Sequence, residues 1–297
     1  MVRLLAPAKV NLFLRILAQE RSGYHQLETL FCRLEFGDTL ELERAARGID
    51  LEVEGAEIGP PEENLAHRAA RAFLDASGHQ AGVRILLRKQ VPVRAGLGGG
   101  SSDAGATLLG LAKLFPGAVA GEDLLDIAGS LGSDVPFFLT ESPMAMAWGR
   151  GDRIRPLPAL PETPVLLALP PLEIPTPWAY GRLAAERVRN PPPMRPMLFS
   201  QESLSSWDRV AELAENDFEA VVFREHPSLE RIRDAIADAG SFLTLLSGSG
   251  SALFGLFLGP GTAGEARATL EGMFPDTRFV LTRTESPSLN PADRGGG

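Results

Sequence analysis

Between residues 92 and 103 the chain reads Pro-Val-Arg-Ala-Gly-Leu-Gly-Gly-Gly-Ser-Ser-Asp, with glycine at 96, 98, 99 and 100. A basic, strand-like segment (Val83 to Lys89) precedes it, and an apolar helical run from Ala104 follows. Strand, glycine loop and helix start bring backbone amides close to phosphate. Glycine keeps side chains out of the approach, and a helix N-terminus offers unpaired N–H groups and the positive end of its dipole. Two common phosphate motifs do not fit. A Walker loop needs a lysine after its glycines, and none follows here. The dinucleotide fingerprint needs a third glycine where, counting from Gly96, Ser101 stands. Taken alone, the stretch is also compatible with a plain tight turn.

Lysine is scarce. Of 29 basic residues only Lys9, Lys89 and Lys113 are not arginine. A lysine kept in such a chain suggests a site where a compact ammonium is needed. Lys9 lies on an alternating strand over residues 3–17, two positions from Asn11 and therefore on the same face. The alternation puts Val10, Leu12, Leu14 and Ile16 on one side. It puts Asn11, Phe13, Arg15 and Leu17 on the other, so the polar pair faces either solvent or a covered cleft. Asp134, between a helix end at Gly132 and the apolar run Val135 to Phe138, is a cap, a turn residue or a catalytic carboxylate facing a cation. Tyr24 and His25, in a polar turn, form either a packed ring with an exposed imidazole or a stacking and hydrogen-bonding pair for an aromatic ligand.

The bulk composition narrows the partners. A net charge of -9 disfavours nucleic acid and anionic membranes, so an anionic substrate has to be held by local groups. Cys32 is the single cysteine, which excludes an internal disulfide and a cysteine metal cluster and fits a reducing cytoplasm. The apolar runs fall short of the roughly 20 residues of a membrane span. The N-terminal stretch, with Lys9, Asn11 and Arg15 inside its apolar pattern, resembles neither a secretion signal nor a transit peptide.

Strands are expected over 27–32, 39–43, 49–53, 83–87, 144–148, 165–169, 242–246, 253–258 and 278–282. Helices are expected over 65–76, from Ala104, and over 122–131, 209–218, 228–239 and 263–274. Asn64 reads as the N-cap of the first helix and Gly78 as its stop. The proline-punctuated run Arg155 to Pro161 reads as a linker. It divides an N-terminal domain (1–157) from a C-terminal α+β sandwich with an antiparallel sheet (158–285). Residues 190–206 read as loop and 286–297 as a disordered tail.

Three segments together resemble one family: Pro7-Ala8-Lys9-Val10-Asn11-Leu12, the stretch Pro92 to Asp103, and Leu246-Ser247-Gly248-Ser249-Gly250-Ser251-Ala252. They are similar to the three motifs of the GHMP kinase superfamily, in order, in a resemblance that runs from about residue 3 to 285. Gly23-Tyr24-His25, the Gly-Gly-Gly-Ser-Ser-Asp ending and Gly132 to Phe138 resemble a branch whose acceptor is a small molecule linked to cytidine diphosphate. The resemblance implies a two-domain α+β kinase with a left-handed βαβ unit in its N-terminal domain and the site in the cleft between domains. It implies ATP as phosphoryl donor, with magnesium. It further implies Asp134 as the base on the acceptor hydroxyl, with Lys9 close enough to favour the charged carboxylate and to stabilise the alkoxide. Pro92, Gly96, Leu97, Gly98, Gly99, Gly100, Ser101 and Ser102 would hold ATP, with Asn64 and Lys89 near the adenine and Ser249 and Gly250 on the phosphate side. Tyr24 and Tyr180 would sandwich the cytosine, His25 would read its edge, and Asn11 and Thr176 would shape the pocket. Departures are Ala95, where the family loop often has glycine, and Gly105, where its helix often has alanine. No protein ligand for magnesium is identifiable, and the sequence leaves the oligomeric state open, a homodimer included. A kinase for another small alcohol, of homoserine or mevalonate type, and an inactive nucleotide-binding protein on this fold stay open as alternatives.

Overall fold

The computed structural model describes residues 1–20, 25–57, 59–78, 80–190 and 204–286. Tyr24, residues 191–203 of the proline-rich loop and the tail from 287 lie outside the described residues. The α+β class holds, built on two sheets.

Strands β1 (Val2–Gln19) and β2 (His25–Ala45) form a long antiparallel ribbon. The sequence suggests two strands within β2, but the chain runs through as one. Both halves are paired on two edges: β1 lies along one side, and β4 (Gly82–Arg88) and β5 (Met144–Gly149) share the other. Strand β3 (Ile49–Glu54) lies parallel to β4, joined to it by helix α1 (Leu65–Ser77). Helices α2 (Gly99–Leu114) and α3 (Gly121–Leu131) and a short 3-10 turn (Val135–Leu139) connect β4 to β5. Alternate residues Val83, Ile85 and Leu87 of β4 pack under α1 and α2. Edge strand β6 (Arg153–Leu157) absorbs the start of the expected linker. Pro156 is tolerated there because β6 pairs on one side only.

The second sheet has the order β10-β7-β9-β8, all antiparallel, with β7 Pro164–Leu169, β8 Leu243–Leu246, β9 Leu253–Leu256 and β10 Arg278–Arg283. Helices α4 (Thr176–Arg189), α5 (Trp207–Leu213), α6 (Glu219–Glu225), α7 (Pro227–Asp238) and α8 (Pro260–Met273) accompany it. Strand β7 is an unbroken apolar run because both its faces are buried. Val165, Leu167 and Leu169 pack with Val10, Leu12 and Leu30 of the first sheet, whereas Leu166 and Ala168 pack with Leu229, Ile232 and Leu270 of the helices. The two sheets therefore share one apolar core.

Two helices escape the sequence reading. Helix α4 opens with Pro175 at its N-cap and Pro177 in its first turn, positions where proline lacks only a hydrogen bond the helix would not make. The expected helix over 209–218 stops at Leu213. Residues 215–217 instead bond to β1, with Leu14 N–H donating to Glu215 O and Asp217 N–H to Leu14 O, and α6 starts beyond them.

The chain returns to β2 at its far end. Glu285 N–H donates to Arg33 O. The guanidinium of Arg33, fully buried, donates to Glu285 Oε2 (2.8 Å), Thr140 O (2.9 Å) and Glu141 O (3.1 Å). One clasp thus joins β2, the stretch just after β10 and the segment just after the 3-10 turn.

Candidate active site

A cleft of about 580 Å³ is lined by β1, β2, the glycine loop, the start of α2, Asp134, α4 and the Gly248–Ser249 turn. That volume suits a small-molecule site. Helix α2 begins at Gly99, with Gly98 as its N-cap, so Ser101, Ser102 and Asp103 stand inside the helix rather than capping it. Its first bond runs from Ser102 N–H to Gly98 O (2.9 Å). The N–H groups of Gly99, Gly100 and Ser101 come before it, at the end where an α-helix leaves donors unpaired.

The loop is fixed from two sides. Lys9 N–H donates to Leu97 O (2.9 Å), which hangs the loop on β1. Ala252 N–H donates to Ala95 O (3.1 Å) and Ser247 Oγ to Gly96 O (3.0 Å), which joins it to the turn after β8. Gly96 has φ +80°, and a Cβ there would lie 1.9 Å from Ser247 O. Only glycine permits this approach of two backbones. Asn216 holds the turn in place, its Nδ2 donating to Leu246 O and Gly248 O, both at 2.8 Å.

Lys9 is almost fully buried. Its Nζ donates to Asn11 Oδ1 (2.7 Å), Asn11 Nδ2 donates to Thr29 Oγ1 (2.8 Å), and Thr29 donates to Phe13 O (2.7 Å). The ammonium lies 3.8 Å from Asp134 Oδ2 and 5.2 Å from the centre of the Phe31 ring. The register of β1 on β2 slips between Asn11 and Phe13. Such a bulge swaps the faces of the strand beyond it. Phe13 therefore joins the core with Val10 and Leu12, and Leu14, not Phe13, shares the cleft with Lys9 and Asn11.

Asp134 precedes the 3-10 turn, but its side chain makes no capping bond there, so the carboxylate is free to face Lys9. Gly105 explains itself by packing. A Cβ on it would lie 2.7 Å from Phe138 Cβ, so its absence lets α2 seat the turn that follows Asp134.

Burial lowers the Lys9 pKa below the ordinary 10.5, and Asp134 offsets part of that by attracting the charged form. If the charged ammonium is required, the alkaline limb of kcat/KM, which reports the free enzyme, should begin below pH 10.5. A pH–rate profile extended to high pH checks this, and a limb at or above that ordinary value would contradict it.

On the opposite wall, Tyr180 of α4 is stacked with His25 (centroids 4.4 Å apart, planes at 25°) and meets Phe218 edge-on at 4.9 Å. Burial, with help from Asp134, pushes the Tyr180 hydroxyl up to about 12, so it stays protonated. Burial and the nearby Arg187 lower the pKa of His25, favouring a neutral ring with one donor and one acceptor nitrogen. Thr176 Oγ1 and Ser249 Oγ share a hydrogen bond of 3.1 Å.

Most of the residues singled out in the sequence line this cleft: Lys9, Asn11, Asn64, Lys89, Pro92, Gly96 to Ser101, Asp134, Thr176, Tyr180 and Ser249. Asn64 also caps α1, its Oδ1 accepting from Ala66 N–H at 2.7 Å. Ser102 is fully buried, with its hydroxyl unpartnered, and neither it nor Gly250 is on the lining; His25 is not on it either, and reaches the cleft only through its stacking on Tyr180. Lys89 places its ammonium between Asp38 and Asp103. Thr29, Phe31 and Phe218 line the cleft but escape the sequence reading, where a threonine or phenylalanine in an apolar segment carries no distinguishing mark. No group of three or more His, Cys, Asp or Glu able to hold a metal occurs among the described residues.

Known proteins are similar to this chain in sequence and in fold. Residues 64–142 match the model of the GHMP kinases N terminal domain, and residues 200–276 that of the GHMP kinases C terminal domain. The chain is 42% identical over 294 residues to the 4-diphosphocytidyl-2-C-methyl-D-erythritol kinase of Thermus thermophilus, covering 99% of this chain and 98% of that one. A crystal structure of 4-(cytidine 5'-diphospho)-2C-methyl-D-erythritol kinase superposes with TM-score 0.80 at 38% identity, covering 99% and 100% of the two chains. Homoserine kinase from Cytophaga hutchinsonii superposes with TM-score 0.68 at 15% identity, covering 96% and 94%, and shares the fold alone.

Proposed function

The chain belongs to the 4-diphosphocytidyl-2-C-methyl-D-erythritol kinase family of GHMP kinases, and from that premise we propose that it transfers the γ-phosphoryl group of ATP to the 2-hydroxyl of 4-diphosphocytidyl-2-C-methyl-D-erythritol. The reaction belongs to the non-mevalonate route to isoprenoid precursors. The observation that carries the site assignment is the Lys9–Asp134 pair, 3.8 Å apart, in the same cleft as the amide-bearing end of α2.

Phosphoryl transfer asks for position and charge stabilisation more than for covalent help. The amides of Gly99 to Ser101 and the α2 dipole hold the ATP phosphates. Asp134 takes the proton of the acceptor hydroxyl, and Lys9 stabilises the oxygen as charge develops on it. Asn11 and Thr29 fix the ammonium so that it needs no reorganisation during the step. Tyr180 supplies a ring face for the cytosine and His25 supplies edge contacts, with Tyr24 as the second face. Magnesium bound to the ATP phosphates would supply positive charge to offset theirs, with the phosphates rather than a cluster of described carboxylates as its main ligands. The two lobes, 1–157 and 158–285, each contribute a wall of the cleft. No described helix is long and apolar enough to cross a membrane, and we place the enzyme in the cytoplasm.

The test is ADP release with the cytidine-linked acceptor, homoserine and mevalonate in parallel. Turnover should be confined to the first. Turnover with either of the others and none with the cytidine compound would overturn the reading.

A further inference from the structure

Behind the glycine loop lies a buried group of three charges. Lys89 follows β4, Asp38 is on β2 and Asp103 is on α2. Lys89 Nζ donates to Asp38 Oδ2 (2.5 Å) and Asp103 Oδ2 (2.6 Å), and the side chains are 5%, 0% and 4% exposed. Asp38 Oδ1 also accepts from the N–H groups of Gln90 (2.5 Å) and Val91 (2.9 Å), which lead into the loop. One end of the loop is therefore tied to Asp38 and the other, through α2, to Asp103. Lys89 bridges them. Every side-chain oxygen of Asp38 is used, whereas Asp103 Oδ1 is buried without a hydrogen-bond partner. Lys89 and Asp103 both line the cleft.

We propose that Asp38, Lys89 and Asp103 form a positioning staple for the phosphate loop, and that the charge on Asp103 sets how tightly the loop holds ATP. The proposal deepens the reading above, since it rests on ATP binding at this loop.

The charge count supports it. With both carboxylates ionised the trio carries one net negative charge beside a site for polyanionic phosphate, and with Asp103 protonated it is neutral. Burial, opposed by Lys89 and reinforced by Asp38, pushes Asp103 up to about 7. Burial works against the Lys89 ammonium, but Asp103 and Asp38 outweigh it, so Lys89 stays charged. Of the other elements packed on α2, β1 brings Lys9 and the 3-10 turn follows Asp134, and these two face each other. The charges that act most directly on Asp103 are Lys89 and Asp38. The loop should therefore bind ATP less tightly as pH rises through about 7.

Calorimetric titration of the whole protein with ATP at saturating magnesium, at about pH 6 and about pH 8.5, tests this on either side of the Asp103 transition. Asp103→Asn keeps an acceptor for Lys89 and stays neutral. It should match wild type at the lower pH and bind about three- to tenfold more tightly than wild type at the higher pH. Ionisation of the nucleotide itself is common to both proteins and cancels in that ratio. Asp103→Ala removes the arm of the staple. It should bind ATP about tenfold more weakly than Asp103→Asn at both pH values, with faster amide exchange over residues 90–101. A ratio of wild type to Asp103→Asn that does not change with pH overturns the charge role. An Asp103→Ala protein that binds and exchanges like Asp103→Asn overturns the staple. If that variant does not fold, the wild type and Asp103→Asn comparison still decides the charge role. Failure of wild type to bind ATP at all would instead contradict the ATP site.

Discussion

Asp134→Asn should lower kcat by about 10²–10⁴-fold, the usual contribution of a positioned general base, with the affinity for ATP unchanged. The amide has nearly the size of the carboxylate and is one third exposed at this position, so the fold has no reason to change. It cannot take the proton of the acceptor hydroxyl, and it deprives the buried Lys9 of its neighbouring anion. ATP is held elsewhere on the cleft, by the end of α2, so binding and turnover should separate. ADP-release kinetics and calorimetric titration with ATP measure the two. Wild-type turnover in the variant would refute the assignment of Asp134, and joint loss of turnover and ATP binding would point to a structural role instead.

Glu285→Ala should cost about 3–5 kcal/mol of stability, because removing one partner of a buried ion pair takes away the charge that compensates the other. The Arg33 side chain has no exposed surface, and Thr140 O and Glu141 O, which it also reaches, are neutral carbonyls. The loss should also loosen the segment directly after the turn that follows Asp134. The double substitution Arg33→Met with Glu285→Leu removes both charges and should recover most of the stability, since apolar residues of similar volume replace buried ion pairs at little cost. Urea unfolding of the three proteins checks this. A single variant that loses less than about 1 kcal/mol would mean that the pair carries no more than an exposed one.

The parts of the site that were legible in the sequence are those where residue type and short spacing carry the chemistry. The glycines from 96 to 100, Lys9 beside Asn11, and Asp134 ahead of its apolar run are of this kind. Parity along β1 was not legible, because a single bulge after Asn11 sends Phe13 into the core and brings Leu14 to the cleft. Helix α4, which carries Thr176 and Tyr180, was hidden by prolines that break a helix in its middle and start one at its end. The burden on Lys89 was hidden by distance: Asp38 is 51 residues away and Asp103 is 14. The Arg33–Glu285 clasp spans 252 residues. Pairings of that range depend on the fold bringing strands together, and no local pattern announces them.

Lys9 and Asp134 are assigned to flank the hydroxyl that accepts the phosphoryl group, and the rest of the mechanism depends on that placement. A crystal structure with a non-hydrolysable ATP analogue and the cytidine-linked acceptor tests it most directly. The 2-hydroxyl should lie within hydrogen-bond reach, about 2.6–3.2 Å, of an Asp134 carboxylate oxygen. Lys9 Nζ should stand beside that hydroxyl, with the terminal phosphate on the amides of Gly99 to Ser101 and the cytosine on Tyr180. An acceptor hydroxyl bound away from both Lys9 and Asp134, with the phosphate chain clear of the start of α2, would contradict the assignment.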